Sequence, residues 1–107
     1  MIEYKIIDKE PNKIGLMVRG HANFAPIGKP DIVCAAVSSS CYTAVNGCIS
    51  TLNEDKDIDI KCCNPGHFVF TVKKTPITTA LIQATYSQIK NIEEQYPQCF
   101  KKHSKDK

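Results

Sequence analysis

Hydrophobic and polar residues alternate in four short stretches of the chain, a pattern that indicates half-buried β-strands. Turn-forming residues at positions 10–13 and 64–66 separate the members of each pair, so the pattern predicts two antiparallel hairpins. The alternation places Cys62 on the inner face of the third strand and Cys63 on the outer face. The inward positions are Ile2, Tyr4 and Ile6; Ile14, Leu16 and Val18; Ile58, Ile60 and Cys62; and Phe68, Phe70 and Val72.

Two longer segments follow the period of an α-helix. The first covers residues 31–52, with Asp31 as a favourable N-cap, and its many small residues suit close packing on a sheet or on a second subunit. The second begins at Thr75 and Pro76, a cap followed by proline at the first helical position. The predicted apolar stripes are Cys34, Cys41, Val45, Cys48 and Leu52, and Ile77, Leu81, Ala84, Ile89, Ile92 and Tyr96.

The order of these elements, ββαββα, predicts an α+β two-layer sandwich. In such a fold a four-stranded, mainly antiparallel sheet has one face covered by two helices. The chain has 107 residues, which is the usual size of one domain. We expect a single domain over residues 1–100, followed by a basic tail at residues 101–107.

Composition indicates an ordinary globular protein, since 42% of the residues are hydrophobic and 23% are charged. No stretch approaches the roughly 18 continuous apolar residues that span a bilayer. The first ten residues lack the apolar region of a signal peptide. We therefore expect a cytoplasmic protein without a membrane partner. The net charge of +3 is modest, and we expect no direct nucleic-acid binding.

The chain contains six cysteines. Without an export signal these are expected to be thiols rather than disulfides. Cys34, Cys41 and Cys48 are seven positions apart, which is a rise of about 10.5 Å per step along a helix. Thiolates that bind zinc lie about 2.3 Å from one shared ion. The sequence therefore predicts no metal site and no cofactor.

The segment between the second predicted strand and the first predicted helix carries the candidate chemistry. His21 lies where the strand ends, and Cys34 is the third residue of the helix. A thiol at that position lies near unpaired amides and the positive end of the helix dipole, which favours the nucleophilic thiolate. A nearby imidazole can act as general base and then protonate the leaving amine. Amides at the helix start could stabilise an oxyanion, and Gly28 is a candidate hinge of the intervening loop.

Several alternatives remain open on these residues alone. Cys34 could be an inert core thiol, and His67 is a competing base at the start of the fourth strand. The three serines at positions 38–40 lack the context of a serine nucleophile. A noncatalytic module that binds the ribosome or assists its assembly is a second function class, using the basic tail and the exposed sheet face. A thiol redox sensor is a third, disfavoured by the absence of a CxxC pair.

The motifs GHA at residues 20–22 and DIVCAAVS at residues 31–38, with Gly28 between them, resemble those of the ribosomal-processing cysteine protease family Prp. The chain length and element order also agree with that family. The resemblance implies a homodimeric enzyme that removes a short N-terminal extension from a bacterial large-subunit ribosomal protein, with a mobile loop over residues 22–30. It implies His21 as general base and Cys34 as nucleophile, supported by Gly20, Gly28, Asp31 and Ser38.

One residue departs from the family pattern. The usual run is closer to GKDIVCA, whereas here Pro30 stands between Lys29 and Asp31. Proline lengthens the connection between His21 and Cys34 and stiffens the entry to the helix. We expect the insertion to be tolerated, because one more residue in a loop costs little, and to act on loop motion and substrate fit.

Overall fold

Two β-hairpins, each followed by a helix, make up the fold. The computed structural model describes residues 1–102, so most of the predicted tail lies outside the described residues. The predicted α+β sandwich is confirmed. Its elements are β1 (Glu3–Ile7), β2 (Lys13–Arg19), α1 (Ile32–Thr51), β3 (Ile58–Asn64), β4 (His67–Lys73) and α2 (Pro76–Gln95), with short 3-10 turns at Asp55–Asp57 and Pro97–Cys99.

The sheet is antiparallel throughout, in the order β1-β2-β4-β3. Leu16 lies opposite Phe70 at its centre, and both side chains are fully buried. This face meets the two helices and forms the core. The other face is not covered by any described element, and Lys5, Met17 and Val69 lie side by side across it. The register thus separates an apolar inner face from a mixed outer face.

The cysteine pair in β3 reverses the predicted alternation. The register shifts between Ile60 and Cys62, so Cys63 rather than Cys62 lies opposite the buried Phe68. Cys63 packs against the core, while Cys62 shares the outer face with Val69. The prediction that Cys62 faces inward is therefore wrong. An extra residue in one strand inverts every side chain that follows it.

Both predicted helix starts are confirmed. Asp31 and Thr75 are N-caps with extended backbones, and Pro76 is the first residue of α2. The first helix continues without interruption through Gly47, where α2 packs closely. A Cβ atom on Gly47 would lie 3.1 Å from Leu81 Cδ1, so the absence of a side chain permits the close approach of the helices.

The second helix buries the predicted stripe only in part. Ile89 and Ile92 are buried, and Leu81 and Tyr96 pack against the core. Ile77 is 55% exposed and Ala84 is also exposed, whereas Thr78 and Thr85 are buried. Their hydroxyls are satisfied by carbonyl oxygens, since Thr78 Oγ1 donates to the carbonyl of Lys73 at 2.7 Å and Thr85 Oγ1 to that of the residue four positions earlier. A satisfied hydroxyl makes threonine tolerable in a core.

The first helix is apolar enough to be mistaken for a membrane span. By length and composition alone it passes that test, with 20 residues and a mean hydropathy of 1.5, although serine, threonine and asparagine interrupt its apolar sequence. In the fold, Cys41 and Cys48 on its inner side are fully buried. Burial raises the pKa of Cys41 to about 12 and also raises that of Cys48. These are core thiols.

Candidate active site

The candidate base lies at the end of the β2–β4 ladder. The Gly20 N–H donates to the Gly66 carbonyl at 3.0 Å, one step beyond the pair that Arg19 forms with His67. The exposed His21 ring packs against the tip of the β3–β4 hairpin, because a Cβ atom on Gly66 would lie 2.6 Å from His21 Cε1. The hydrogen bonds between β2 and β4 thus place His21 beside the hairpin tip.

The candidate nucleophile occupies the position that the sequence predicts. Cys34 is the third residue of α1, half-buried, and packs against the core. Ser38 follows one helical turn later on the same side and is 8% exposed. Cys34 therefore lies at the boundary between core and solvent, with Ser38 behind it.

The carboxylate of Asp31 joins the loop to the start of α1. Its Oδ1 accepts the N–H groups of Val33 and Cys34 at 3.1 and 3.0 Å. Its Oδ2 accepts those of Phe24 and Ala25 at 2.9 and 3.3 Å. Burial opposes ionisation of Asp31, but these four donors outweigh it and lower its pKa. Asp31 is thus both a helix cap and a loop anchor.

This arrangement corrects the expectation for the oxyanion donors. The N–H groups of Val33 and Cys34 donate to the Asp31 side chain, and the N–H of Ala35 donates to the Asp31 carbonyl. These three amides are occupied and do not point to an open oxyanion site. The helix cap competes for the same donors that an oxyanion would need.

The loop between His21 and Asp31 is held in place where it leaves His21 and is exposed at its turn. The Phe24 ring makes an edge contact with Tyr96, at the end of α2, with centroids 5.2 Å apart. Gly28 lies in the turn with φ +87°, and a Cβ atom there would meet nothing within 4 Å. Gly28 therefore serves the turn, and the space where a side chain would lie is open.

The competing base, His67, faces away from the candidate nucleophile. His67 lies opposite Arg19, and its neighbour Phe68 points into the core. Alternation along β4 therefore places His67 on the outer face of the sheet, while α1 and Cys34 cover the inner face. Among residues 1–102, no group of three or more His, Cys, Asp or Glu side chains could hold a metal ion.

Comparison with known proteins identifies the family. The sequence profile described as cysteine protease Prp matches residues 1–101. The chain belongs to this family.

Two crystal structures of the essential ribosomal processing protease Prp from S. aureus are similar to this chain. Each match covers 94% of this chain and 96% of the S. aureus chain. The complex with a covalently linked product peptide has 27% identity and a TM-score of 0.72. The complex with a substrate peptide has 25% identity and a TM-score of 0.66. No curated protein sequence matches this chain.

Membership of the Prp family confirms the predicted enzyme class, a cysteine protease. The similarity to the solved structures also confirms the fold. Pro30, which departs from the usual Prp motif, is accommodated outside the helix, since α1 still begins after the Asp31 cap.

Sequence reasoning missed two glycine contacts at this site. Gly66 appears in the sequence only as a turn residue, yet it touches the His21 ring. Gly20 has φ +101°, and a Cβ atom there would lie 2.0 Å from the Met1 carbonyl oxygen. Next to this contact, Ile2 donates its N–H to the carbonyl of the buried Cys99. Residues 1–2 thus lie between Gly20 and Cys99, and no local sequence signal shows this.

The two oxygens of Asp31 allow its two roles to be separated. In Asp31→Asn the amide oxygen can still cap α1 as well as aspartate does, but the NH₂ group cannot accept hydrogen bonds from the loop. We expect a loss of thermal stability smaller than that of Asp31→Ala, faster proteolysis within residues 22–30 and a lower kcat/KM. Asp31→Ala loses both roles and about 1–2 kcal/mol of stability. Equal proteolysis rates in wild type and Asp31→Asn would contradict the anchor.

Because Asp31 is ionised in the folded protein, we expect the stability of the fold to fall at low pH. Because the folded-state pKa is lowered, its contribution to stability is present above the unfolded value of about 3.9 and is lost as the pH falls through the folded value. Asp31→Asn should remove this part of the acid unfolding profile.

Proposed function

We propose that this chain is a ribosomal processing protease whose nucleophile is Cys34 and whose general base is His21. The observation that carries the proposal is the shared carboxylate of Asp31. It binds the N–H of Phe24, three residues after His21, and also the N–H of Cys34. Three residues span at most about 11 Å, so the anchor holds His21 near the helix start.

The chemistry follows from these two side chains. Cys34 Sγ attacks the scissile carbonyl carbon, and the thiol proton passes to the His21 imidazole. The imidazolium then protonates the leaving amine, so the C–N bond breaks and a thioester remains. Water, deprotonated by His21, hydrolyses the thioester and restores the thiol. The covalently linked product peptide of the similar S. aureus enzyme supports this route.

The proposed substrate is the N-terminal extension of a bacterial large-subunit ribosomal protein, which places the enzyme in the cytoplasm. The similar S. aureus enzyme is a ribosomal processing protease and binds a substrate peptide. Phe24, Ile27 and Ile32 offer exposed apolar surface between His21 and Cys34, where they would contact apolar residues of a bound peptide. We assign supporting roles to Ser38, behind the nucleophile, and to Gly28, in the turn of the loop.

The test is cleavage of a purified large-subunit ribosomal protein that carries its N-terminal extension, followed by mass spectrometry. We expect one cut that releases the extension, and no cut in the same protein without the extension. A preparation of Cys34→Ala controls for contaminating proteases. No cleavage by wild type, or equal cleavage by Cys34→Ala, would refute the proposal.

We further propose that a second copy of the chain covers α1. The 20 residues of this helix include no charged side chain, and only 33% of its most apolar stretch is buried. A solvent-facing helix surface normally carries charged residues, whereas the centre of an interface is depleted in them. A groove of about 290 Å³, lined in part by Ser39, Thr43 and Leu81, runs between α1 and α2. These features support the homodimer that the family implies.

An arginine in the middle of this face should separate the proposed dimer. Thr43 is exposed on α1, and Thr43→Arg would bury an unpaired charge between the two copies. We expect the dimer dissociation constant to rise at least about tenfold, equivalent to roughly 1.4 kcal/mol, with unchanged circular dichroism. Analytical ultracentrifugation measures it, and Gln83→Arg, at an exposed position of α2, is the matched control. A wild-type monomer, or an unchanged dimer in Thr43→Arg, would contradict the interface.

A further inference from the structure

The tip of the β3–β4 hairpin has an uncommon turn for its length. Asn64 and His67 form the last pair, so Pro65 and Gly66 are the only two residues of the turn. Proline followed by a glycine with φ +88° is the combination of a type II turn. Two-residue hairpins usually avoid this turn because it splays the strands. The β3–β4 hairpin therefore contains a type II turn, which hairpin geometry alone does not favour.

The same tip has two contacts with the segment that carries the candidate base. The Gly66 carbonyl accepts the N–H of Gly20, the residue before His21. The Cα of Gly66 faces the His21 ring, since a Cβ atom there would lie 2.6 Å from Cε1 and 3.2 Å from both ring nitrogens. The hairpin tip thus holds the backbone beside His21 and limits where its ring can lie.

A side chain on Gly66 would displace this ring. Contacts of 2.6 Å do not occur at real Cβ atoms, and the neighbouring group must move. His21 is otherwise exposed, so its ring has room to turn away into solvent. Displacing a catalytic group by about 1 Å is enough to reduce a rate about 100-fold.

We infer that Gly66 is a positioning residue of this protease, whose bare Cα sets the orientation of the His21 ring. The inference rests on the proposed role of His21 as general base. Gly66 does not act on substrate itself, and its effect on the reaction passes through the imidazole. Glycine at this tip therefore meets two separate requirements, the positive φ of the turn and the close approach of the His21 ring.

The test compares Gly66→Ala in two backgrounds, wild type and His21→Ala. The first measurement is the iodoacetamide alkylation rate of Cys34 as a function of pH, followed by mass spectrometry, which needs no peptide substrate. The second is kcat and KM for the extended ribosomal protein. We expect Gly66→Ala to lower kcat about 10- to 100-fold with KM within about twofold, and to shift the pH profile of alkylation.

In the His21→Ala background the ring is absent, so Gly66→Ala should change the alkylation rate less than about twofold. An equal loss in both backgrounds would show a general structural effect and overturn the inference, as would a wild-type kcat and pH profile in folded Gly66→Ala. A fully active His21→Ala single variant would instead refute the proposed base. The two failures are therefore distinguishable.

Discussion

If Cys34 is the nucleophile, we expect Cys34→Ala to lower peptidase activity by at least about four orders of magnitude, because the covalent route disappears with the sulfur atom. We expect His21→Ala to lower activity about 10²- to 10⁴-fold, since the proposed proton transfer to the leaving amine is lost. Cys34 is half-buried and His21 is exposed, so both variants should fold. Peptide-cleavage kinetics with mass spectrometry measure the two losses.

The matched control for Cys34 is another half-buried cysteine, Cys62. It lies on the outer face of the sheet beside Val69, on the side opposite α1. Cys62→Ala should retain wild-type activity. Undiminished cleavage by Cys34→Ala would remove the thiol from the mechanism, and an equal loss in Cys62→Ala would mean that cysteine substitution acts through stability.

Replacing Gly20 with alanine should destabilise the fold more than most single substitutions. The new Cβ would lie 2.0 Å from the Met1 carbonyl oxygen, in a backbone with φ +101°. The left-handed backbone costs roughly 1–2 kcal/mol, and overpacking costs a further 1–3 kcal/mol or so. Urea unfolding should therefore show a loss of about 2–5 kcal/mol. Activity should fall as well, because Gly20 precedes His21.

Gly28→Ala separates the two contributions to this loss. Its φ of +87° imposes a similar backbone strain, but the new Cβ would meet nothing within 4 Å. We expect Gly28→Ala to lose only the backbone contribution, roughly 1–2 kcal/mol. The comparison concerns stability alone. Equal losses in the two variants would show that the approach of Met1 to Gly20 does not constrain the fold.

Much of the fold was predictable because its signals are local. Alternation marked the four strands, and side chains suited to capping marked both helix starts at Asp31 and Thr75. The third helical position of Cys34 followed from the cap alone. The stripe of α2 was less predictable, because Thr78 and Thr85 enter the core only when carbonyl oxygens accept from their hydroxyls.

The sequence by itself determined the element order and the helix caps, since periodicity and capping depend on residues a few positions apart, and it supplied the two candidate catalytic side chains. The tertiary structure alone decided three other features. A register shift turned Cys63 toward the core. The Asp31 carboxylate accepts hydrogen bonds from N–H groups of both the loop and the helix. Gly66 lies against the His21 ring. Each of these depends on how separate elements meet, and contacts between distant residues leave no pattern in the neighbouring sequence.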